Sequence, residues 1–310
     1  MTKLIFDCDP GVDDAIALFL AFASPELELL AITTVAGNVS AKLTARNAAL
    51  IRQIAGREDV PIYAGADRPL FRAPVEAGDF HGASGLGPLD LFVPAKGAED
   101  GHAARAIVDL VMAHPAGEVS IAVTGPSTNL ALALQLEPAL ADRLGPVVVM
   151  GGARREGGNI TASAEFNIFA DPHAAQILFA SGAQCVVMGL DVTHQVRADP
   201  ARTAAIAGLG SEAAKASAVL LEFSNSLERD IVGGGSGAPI HDPCIIAYLI
   251  APDLFVLRPC ALQVETSSPL TLGHTAVEFR LPNPAAARIG WAVAADSDGV
   301  FALLNERLAR

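Results

Sequence analysis

The stretch Leu4-Ile5-Phe6-Asp7-Cys8-Asp9-Pro10-Gly11-Val12-Asp13-Asp14 constrains this chain more than any other. Its apolar start predicts a buried strand over residues 4–6. That strand ends in four carboxylates within eight residues. Like charges this close repel, so a fold that gathers them needs a compensating positive charge. A hard divalent cation is the simplest one, because carboxylate oxygens are its preferred ligands. Pro10-Gly11 predicts a tight turn that brings Asp9 back toward Asp13 and Asp14. Those two acids open the next helix, where the macrodipole favours anions. Helix capping explains one such Asp, but not four.

The rest of the first half repeats this strand-to-helix pattern. Apolar runs predict strands over residues 27–35, 60–63, 119–123, 147–150 and 185–188, and helical periodicity predicts helices over 13–23, 41–55, 103–113, 130–136 and 172–179. Unbroken apolar strands alternating with helices predict an α/β fold, with a mostly parallel central sheet flanked by helices, of Rossmann-like type. In such sheets, ligands bind beyond the carboxyl ends of the strands. The unusual polar residues of this sequence follow strand ends. The second half is more helical, with helices predicted over 213–228 and 243–250. A late hairpin is predicted from 262–264 and 276–281, then a strand over 291–294 and a helix over 300–308. Residues 71–96 and 232–240 are Gly/Pro-rich loops of the kind that form lids. With no internal repeat and no low-complexity linker, the chain reads as a single domain over residues 1–310.

Composition narrows the partners. Thirty-four acidic against 21 basic residues give a net charge of −13, without a Lys/Arg cluster. That balance repels DNA and RNA and suits a small neutral substrate or a cation. Hydrophobic residues make up 51 % of the chain, enough for a large core. The longest apolar runs, such as 15–23, fall short of the roughly 20 residues of a membrane span. The N-terminal residues do not read as a signal peptide, so the expected location is cytoplasmic. Four scattered cysteines (Cys8, Cys185, Cys244, Cys260) suggest neither disulfides nor a zinc site.

Three further strand ends and one helix start carry polar groups. Asn38 follows the second strand and is placed to hydrogen-bond a hydroxyl, although turn residues look the same. Thr124 opens Thr-Gly-Pro-Ser-Thr-Asn, where a carbonyl released from the sheet can ligate a metal and a plain Ser/Thr helix cap is an equal reading. Met150-Gly151-Gly152 is followed by Asn159, Glu165 and Asn167, amide and carboxylate groups suited to sugar hydroxyls and to positive charge on a ribosyl ring. His241-Asp242 sits at a helix start, where Asp242 can complete a metal site and His241 can donate a proton near neutral pH.

Taken together, these residues resemble the inosine-uridine nucleoside hydrolases (nucleoside N-ribohydrolases). The matching segments are DCDPGVDDAIAL at 7–18, AGN at 36–38, HGASGLG at 81–87, TGPSTNLA at 124–131, MGG at 150–152, GNITASAEFNIFADPHAA at 158–175 and HDP at 241–243. They occur in family order over essentially the whole chain. The resemblance implies hydrolysis of the N-glycosidic bond of ribonucleosides, in purine or pyrimidine salvage, by a homodimer or homotetramer. It implies that Asp9, Asp14, Asp242 and the Thr124 carbonyl hold one Ca²⁺ per subunit, with Asp9 as general base. Asp13, Asn38, Asn159, Glu165, Asn167 and the Met150 backbone would grip the ribose. His241 would help the base leave, with His81 nearby.

One departure falls on the base side. Relatives with His at this position often carry tyrosines about a dozen residues earlier. Here the segment reads Phe223-Ser224-Asn225-Ser226-Leu227-Glu228-Arg229, without Tyr. Phe223, Leu227, another loop or another subunit then supplies that contact. The alternative reading is a nucleoside- or ribose-binding protein of the same fold with impaired catalysis. A haloacid-dehalogenase-type phosphatase shares only Asp7-x-Asp9 and leaves Asp13-Asp14 without a role. Residues 233–237 are Gly-rich but lack the Lys-Ser/Thr ending of a phosphate loop and read as a flexible loop.

Overall fold

Alternating apolar side chains make each central strand two-faced. In a computed structural model describing residues 1–233 and 236–310, Leu4, Phe6 and Cys8 point into one core while Ile5 points into the other. Ala122, Val148, Met150, Val186 and Met188 join the first core; Ile121, Val123, Val147, Val149, Cys185 and Val187 join the second. A strand buried on both faces has to be apolar throughout, and this is what the sequence pattern shows.

The chain begins with β1 (Thr2–Cys8), α1 (Val12–Phe22), β2 (Leu27–Thr34), α2 (Ala41–Ile54), β3 (Ile62–Ala64), α3 (Gly78–His81), α4 (Ala103–Met112), β4 (Val119–Val123), α5 (Thr128–Leu136), α6 (Leu140–Arg143) and β5 (Val147–Met150). It continues through α7 (Phe166–Ala170), α8 (Pro172–Ala180), β6 (Cys185–Met188), α9 (Leu190–Thr193), β7 (Arg197–Ala198), α10 (Pro200–Ala207) and α11 (Glu212–Val232). The last elements are β8 (Ala238–Pro239), α12 (Pro243–Ile250), β9 (Phe255–Val264), β10 (Thr275–Glu278), β11 (Ile289–Ala295) and α13 (Ser297–Leu308).

Among the described residues, nine strands form one sheet in the order β10-β9-β11-β6-β5-β4-β1-β2-β3, and β7 pairs with β8 apart from it. The run from β3 to β11 is parallel; β9 pairs antiparallel with both β11 and β10, which confirms the late hairpin. Strand order reverses direction between β1 and β4, where helices leave toward opposite faces and open a crevice at the carboxyl edge. The mostly parallel, helix-flanked α/β sheet expected from the sequence is therefore the observed fold.

Two loop expectations need correction. Residues 71–96 contain the short helix α3, and α11 runs on to Val232 before its left-handed end at Gly233 (φ 69°). Of the Gly-rich segment 233–237, Gly234 and Gly235 lie outside the described residues. No helix among the described residues is long and apolar enough to cross a membrane. All four cysteines are free and buried.

Candidate active site

The carboxyl edge of β1 sets the site. Asp7 and Asp9 are fully buried (0 % exposed), and so is Asp14 in the first turn of α1. The Pro10-Gly11 turn is anchored by Asn47 of α2, whose Nδ2 donates to the Pro10 carbonyl at 3.0 Å. Gly11 N donates to Asp14 Oδ2 at 2.9 Å, so Asp14 caps its own helix. Asp14 Oδ2 also accepts from Asn38 Nδ2 at 3.1 Å, and Asp14 Oδ1 accepts from Thr124 Oγ1 at 2.7 Å.

Asp9 is held differently. Its Oδ2 accepts from Asn38 N at 2.7 Å, and its carbonyl accepts from Asn38 Nδ2 at 3.1 Å. Its Oδ1 is buried with no hydrogen-bond donor among the described residues. The backbone passes very close to this carboxylate. A Cβ at Gly37 would lie 2.0 Å from Asp9 Oδ2, and one at Gly125 2.7 Å from Asp9 Oδ1. A side chain at either place would force the Asp9 carboxylate to move.

Asp242, at the start of α12, closes the cluster. One carboxylate oxygen from each of Asp13, Asp14 and Asp242 lies within 4.8 Å of the others. Asp13 thus stands inside the tight triple, and Asp9 is tied to it through Asn38. Burial pushes the Asp242 carboxyl well above the usual range, helped by the charges of Asp13, Asp14 and Asp9. Burial and then Asp14 raise Asp9; burial and then Asp13 raise Asp14. Acids this costly to ionise are a signature of a functional cluster. The donor set is hard oxygen throughout and includes a buried carboxylate oxygen without a donor among the described residues. Both features suit a hard divalent cation.

Asp7 belongs to a separate network. Its Oδ1 accepts from Thr33 Oγ1 at 2.7 Å and from Asn129 Nδ2 at 2.8 Å, and burial raises its pKa to about 7. Asn129 also donates to the Thr34 carbonyl at 3.0 Å and accepts from Ala66 N at 2.9 Å, stitching β1, β2 and α5 together. Asn129 lay in a motif, Thr33 close to one and Asn47 only in a predicted helix, and local pattern alone gave none of them a partner.

The sugar-side candidates converge only in part. Asn167 Nδ2 bridges the carbonyls of Thr124 (2.6 Å) and Met150 (3.2 Å), joining the ends of β4 and β5. Glu165 caps α7: its carboxylate accepts from Gly152 N, Asn167 N and Ile168 N at 3.0, 2.9 and 3.2 Å. Burial nevertheless raises its pKa to about 7. Asn159 is exposed and accepts from Phe166 N at 2.9 Å, so it braces the loop. Both residues have local structural work that the sequence pattern did not reveal.

The two histidines are fixed at one nitrogen each. His81 Nδ1 accepts from Val12 N at 3.0 Å, and burial lowers its pKa. His241 Nδ1 lies 2.8 Å from Thr193 Oγ1, and burial lowers its pKa to about 4. On the tyrosine-free segment, Phe223 packs on the His81 loop: a Cβ at Gly87 would meet its ring at 2.7 Å. Asn225 is buried between Thr203 and Ala238.

A buried acid cluster at the switch point of a parallel sheet defines an α/β enzyme whose substrate meets the carboxyl edge. Residues 4–302 match the family described as inosine-uridine preferring nucleoside hydrolase. The Leishmania major protein of that name is 40 % identical over 312 residues, covering 99 % of this chain and 98 % of the relative. The pyrimidine-specific ribonucleoside hydrolase RihA of Salmonella gallinarum is 41 % identical over 305 residues, covering 98 % and 97 %. The solved structure of a purine-preferring ribonucleoside hydrolase from Gardnerella vaginalis has a TM-score of 0.93 at 33 % identity, covering 99 % and 98 %. The chain belongs to the inosine-uridine preferring nucleoside hydrolase family and is a hydrolase of N-glycosyl compounds.

Proposed function

We propose that this protein hydrolyses ribonucleosides to ribose and free base with one Ca²⁺ per subunit. The observation that carries this reading is the buried Asp9 Oδ1, without a donor among the described residues, in a carboxylate that Asn38 ties to Asp14 at the switch point. Asp9, Asp14, Asp242 and the Thr124 carbonyl would hold the ion. When bound, the ion orients the ribose diol and makes a water easier to deprotonate.

The chain's own groups do the rest. Asp9 accepts the proton of the attacking water, whose oxygen forms the new bond to C1′. The C1′–N bond breaks with its electron pair going to the base. Positive charge grows on the sugar meanwhile, and Asp13, Glu165 and the amides of Asn38, Asn159 and Asn167 stabilise it around the ring, together with the Met150 carbonyl. Asn167 orients the Thr124 and Met150 carbonyls in the same stroke. His241 hydrogen-bonds the departing base, with His81 alongside. A binding protein with lost catalysis predicts lost acids, and Asp9, Asp14 and Asp242 are all present. The free buried thiols suit a reducing, cytoplasmic setting, and a homodimer or homotetramer is the expected assembly.

The test is reducing-sugar release from inosine, uridine, cytidine and adenosine, with and without a calcium chelator, for wild type and Asp9→Ala. Release abolished by both chelator and substitution upholds the reading and ranks the bases. Release indifferent to the chelator overturns the calcium half. Absence of release from every nucleoside overturns the hydrolase half.

A further inference from the structure

Helix α9 leaves β6 through Gly189 and ends at Thr193, a polar residue with 0 % exposure among the buried Leu190, Val192 and Val196. A buried hydroxyl is costly unless it is hydrogen-bonded. Among the described residues the Thr193 hydroxyl meets one side chain, the imidazole of His241, at Nδ1 and 2.8 Å. The next residue, His194, flanks the same imidazole, with ring centroids 5.8 Å apart and planes at 56°. Glu156 Oε2 holds His194 Nδ1 at 3.0 Å. The His241 backbone is referenced to the same segment, because Ile240 N donates to the Val196 carbonyl at 2.9 Å. One short stretch, residues 193–196, therefore fixes both the chain and the ring of His241.

A hydroxyl that donates to Nδ1 leaves the ring proton on Nε2, the nitrogen free to meet a ligand. We infer that Thr193 is a positioning residue that sets the ring angle and tautomer of His241, so that Nε2–H serves the leaving base. This rests on the proposed cleavage of ribonucleosides with His241 beside the base. As the C1′–N bond breaks, its electron pair moves onto the base, and Nε2–H hydrogen-bonds the atom that gains the charge. The base then takes a proton from solvent, and the water proton held on Asp9 returns there, so one water is consumed. Thr193 touches no reacting atom, and its effect is confined to substrates whose leaving group needs that hydrogen bond.

The experiment compares Thr193→Val, which keeps the shape, and Thr193→Ser, which keeps the hydroxyl. The substrates are inosine, uridine and 4-nitrophenyl β-D-ribofuranoside, whose phenolate leaves unaided. Thr193→Val is expected to lower kcat on the nucleosides by about 10²-fold, the scale of a misplaced catalytic group. KM and the aryl riboside rate should stay near wild type, and Thr193→Ser should recover most of the loss. Equal loss on both substrate types, no loss at all, or failure of Ser to rescue overturns the inference. Wild type that cleaves neither substrate type overturns the proposed function instead. Nitrogen NMR of the His241 ring, assigned with His241→Asn, needs no turnover and holds even if the Val variant does not fold. Unprotonated Nδ1 in the wild type is expected, and protonated Nδ1 overturns the assignment.

Discussion

Thr124 Oγ1 donates a 2.7 Å hydrogen bond to Asp14 Oδ1, tying the end of β4 to the first turn of α1 across the switch point. The two meet because β4 pairs with β1, in a register that sets Val123 against Asp7. Asn167 Nδ2 holds the Thr124 carbonyl from the other side at 2.6 Å. One residue thus steadies an acid with its side chain and presents an oxygen with its backbone.

Replacing Thr124 by Val separates these two roles. The carbonyl stays, but a buried carboxylate oxygen loses its donor, which costs about 1–3 kcal/mol. Thermal unfolding in chelator should show Thr124→Val melting about 2–6 °C lower, with Thr124→Ser near wild type. An unchanged melting point would mean that the bond contributes nothing.

Asp242 illustrates a conflict between stability and function. Its carboxyl is raised well above the normal range by burial and by Asp13, Asp14 and Asp9. Neutralising it relieves repulsion and removes a proposed ligand at once. Asp242→Asn should therefore melt higher than wild type in chelator, gain nothing from added Ca²⁺, and lose activity. A metal-free melting point below wild type would show that Asp242 is not under charge strain.

Much of this architecture was legible in the sequence, for identifiable reasons. The bounds of β4, β5, β6 and α12 coincide with their predicted ranges, because glycine or proline lies within two residues of each apolar run. Helix α10 went unread although Asp199 caps it and Pro200 starts it; its alanine-rich face shows little periodicity. Helices α6, α7 and α9 span only four or five residues each, too short for any period to show. The pairing of β7 with β8, through Pro239, is a tertiary contact. In the site, Asp9, Asp13 and Asp14 were visible because they fall within six residues of one another, and Asp242 because it stands in a His-Asp-Pro helix start. What sorts them was not. Asp7 is drawn away by Asn129, 122 residues distant, and the residue that meets His241 sits on a four-residue helix 48 positions earlier.

The acid cluster also fixes how metal and pH are linked. Asp14 stands at about 7 against an ordinary 3.8, and Asp9 and Asp242 are raised as well. In that interval the metal-free folded chain holds protons that the unfolded chain has released. Its stability therefore falls as pH rises from about 4 through the folded values. A bound cation displaces those protons. The gain in melting temperature on adding Ca²⁺ should grow from pH 5 to pH 8, with proton release in weakly buffered solution. A gain independent of pH would remove the buried acids from the binding site.

Gly125 gives the sharpest test of the geometry around Asp9. Its φ lies outside the left-handed region, so alanine suits the backbone there. The obstacle is contact alone, since the new Cβ would lie 2.7 Å from Asp9 Oδ1 and 3.0 Å from Val35 Cγ1. Asp9 cannot swing clear without breaking the 2.7 Å bond from Asn38 N to its other oxygen. Gly97, with nothing within 4 Å of an added Cβ, is the matched control. Gly125→Ala should keep the far-ultraviolet circular dichroism of the wild type and lose its thermal response to Ca²⁺. Its kcat/KM should fall by about 10²-fold, as expected for a catalytic group displaced by an ångström. Gly97→Ala should change none of these. If Gly125→Ala retains full activity and a normal calcium response, Asp9 Oδ1 is not where the chemistry needs it, and the assignment of Asp9 as base and ligand fails.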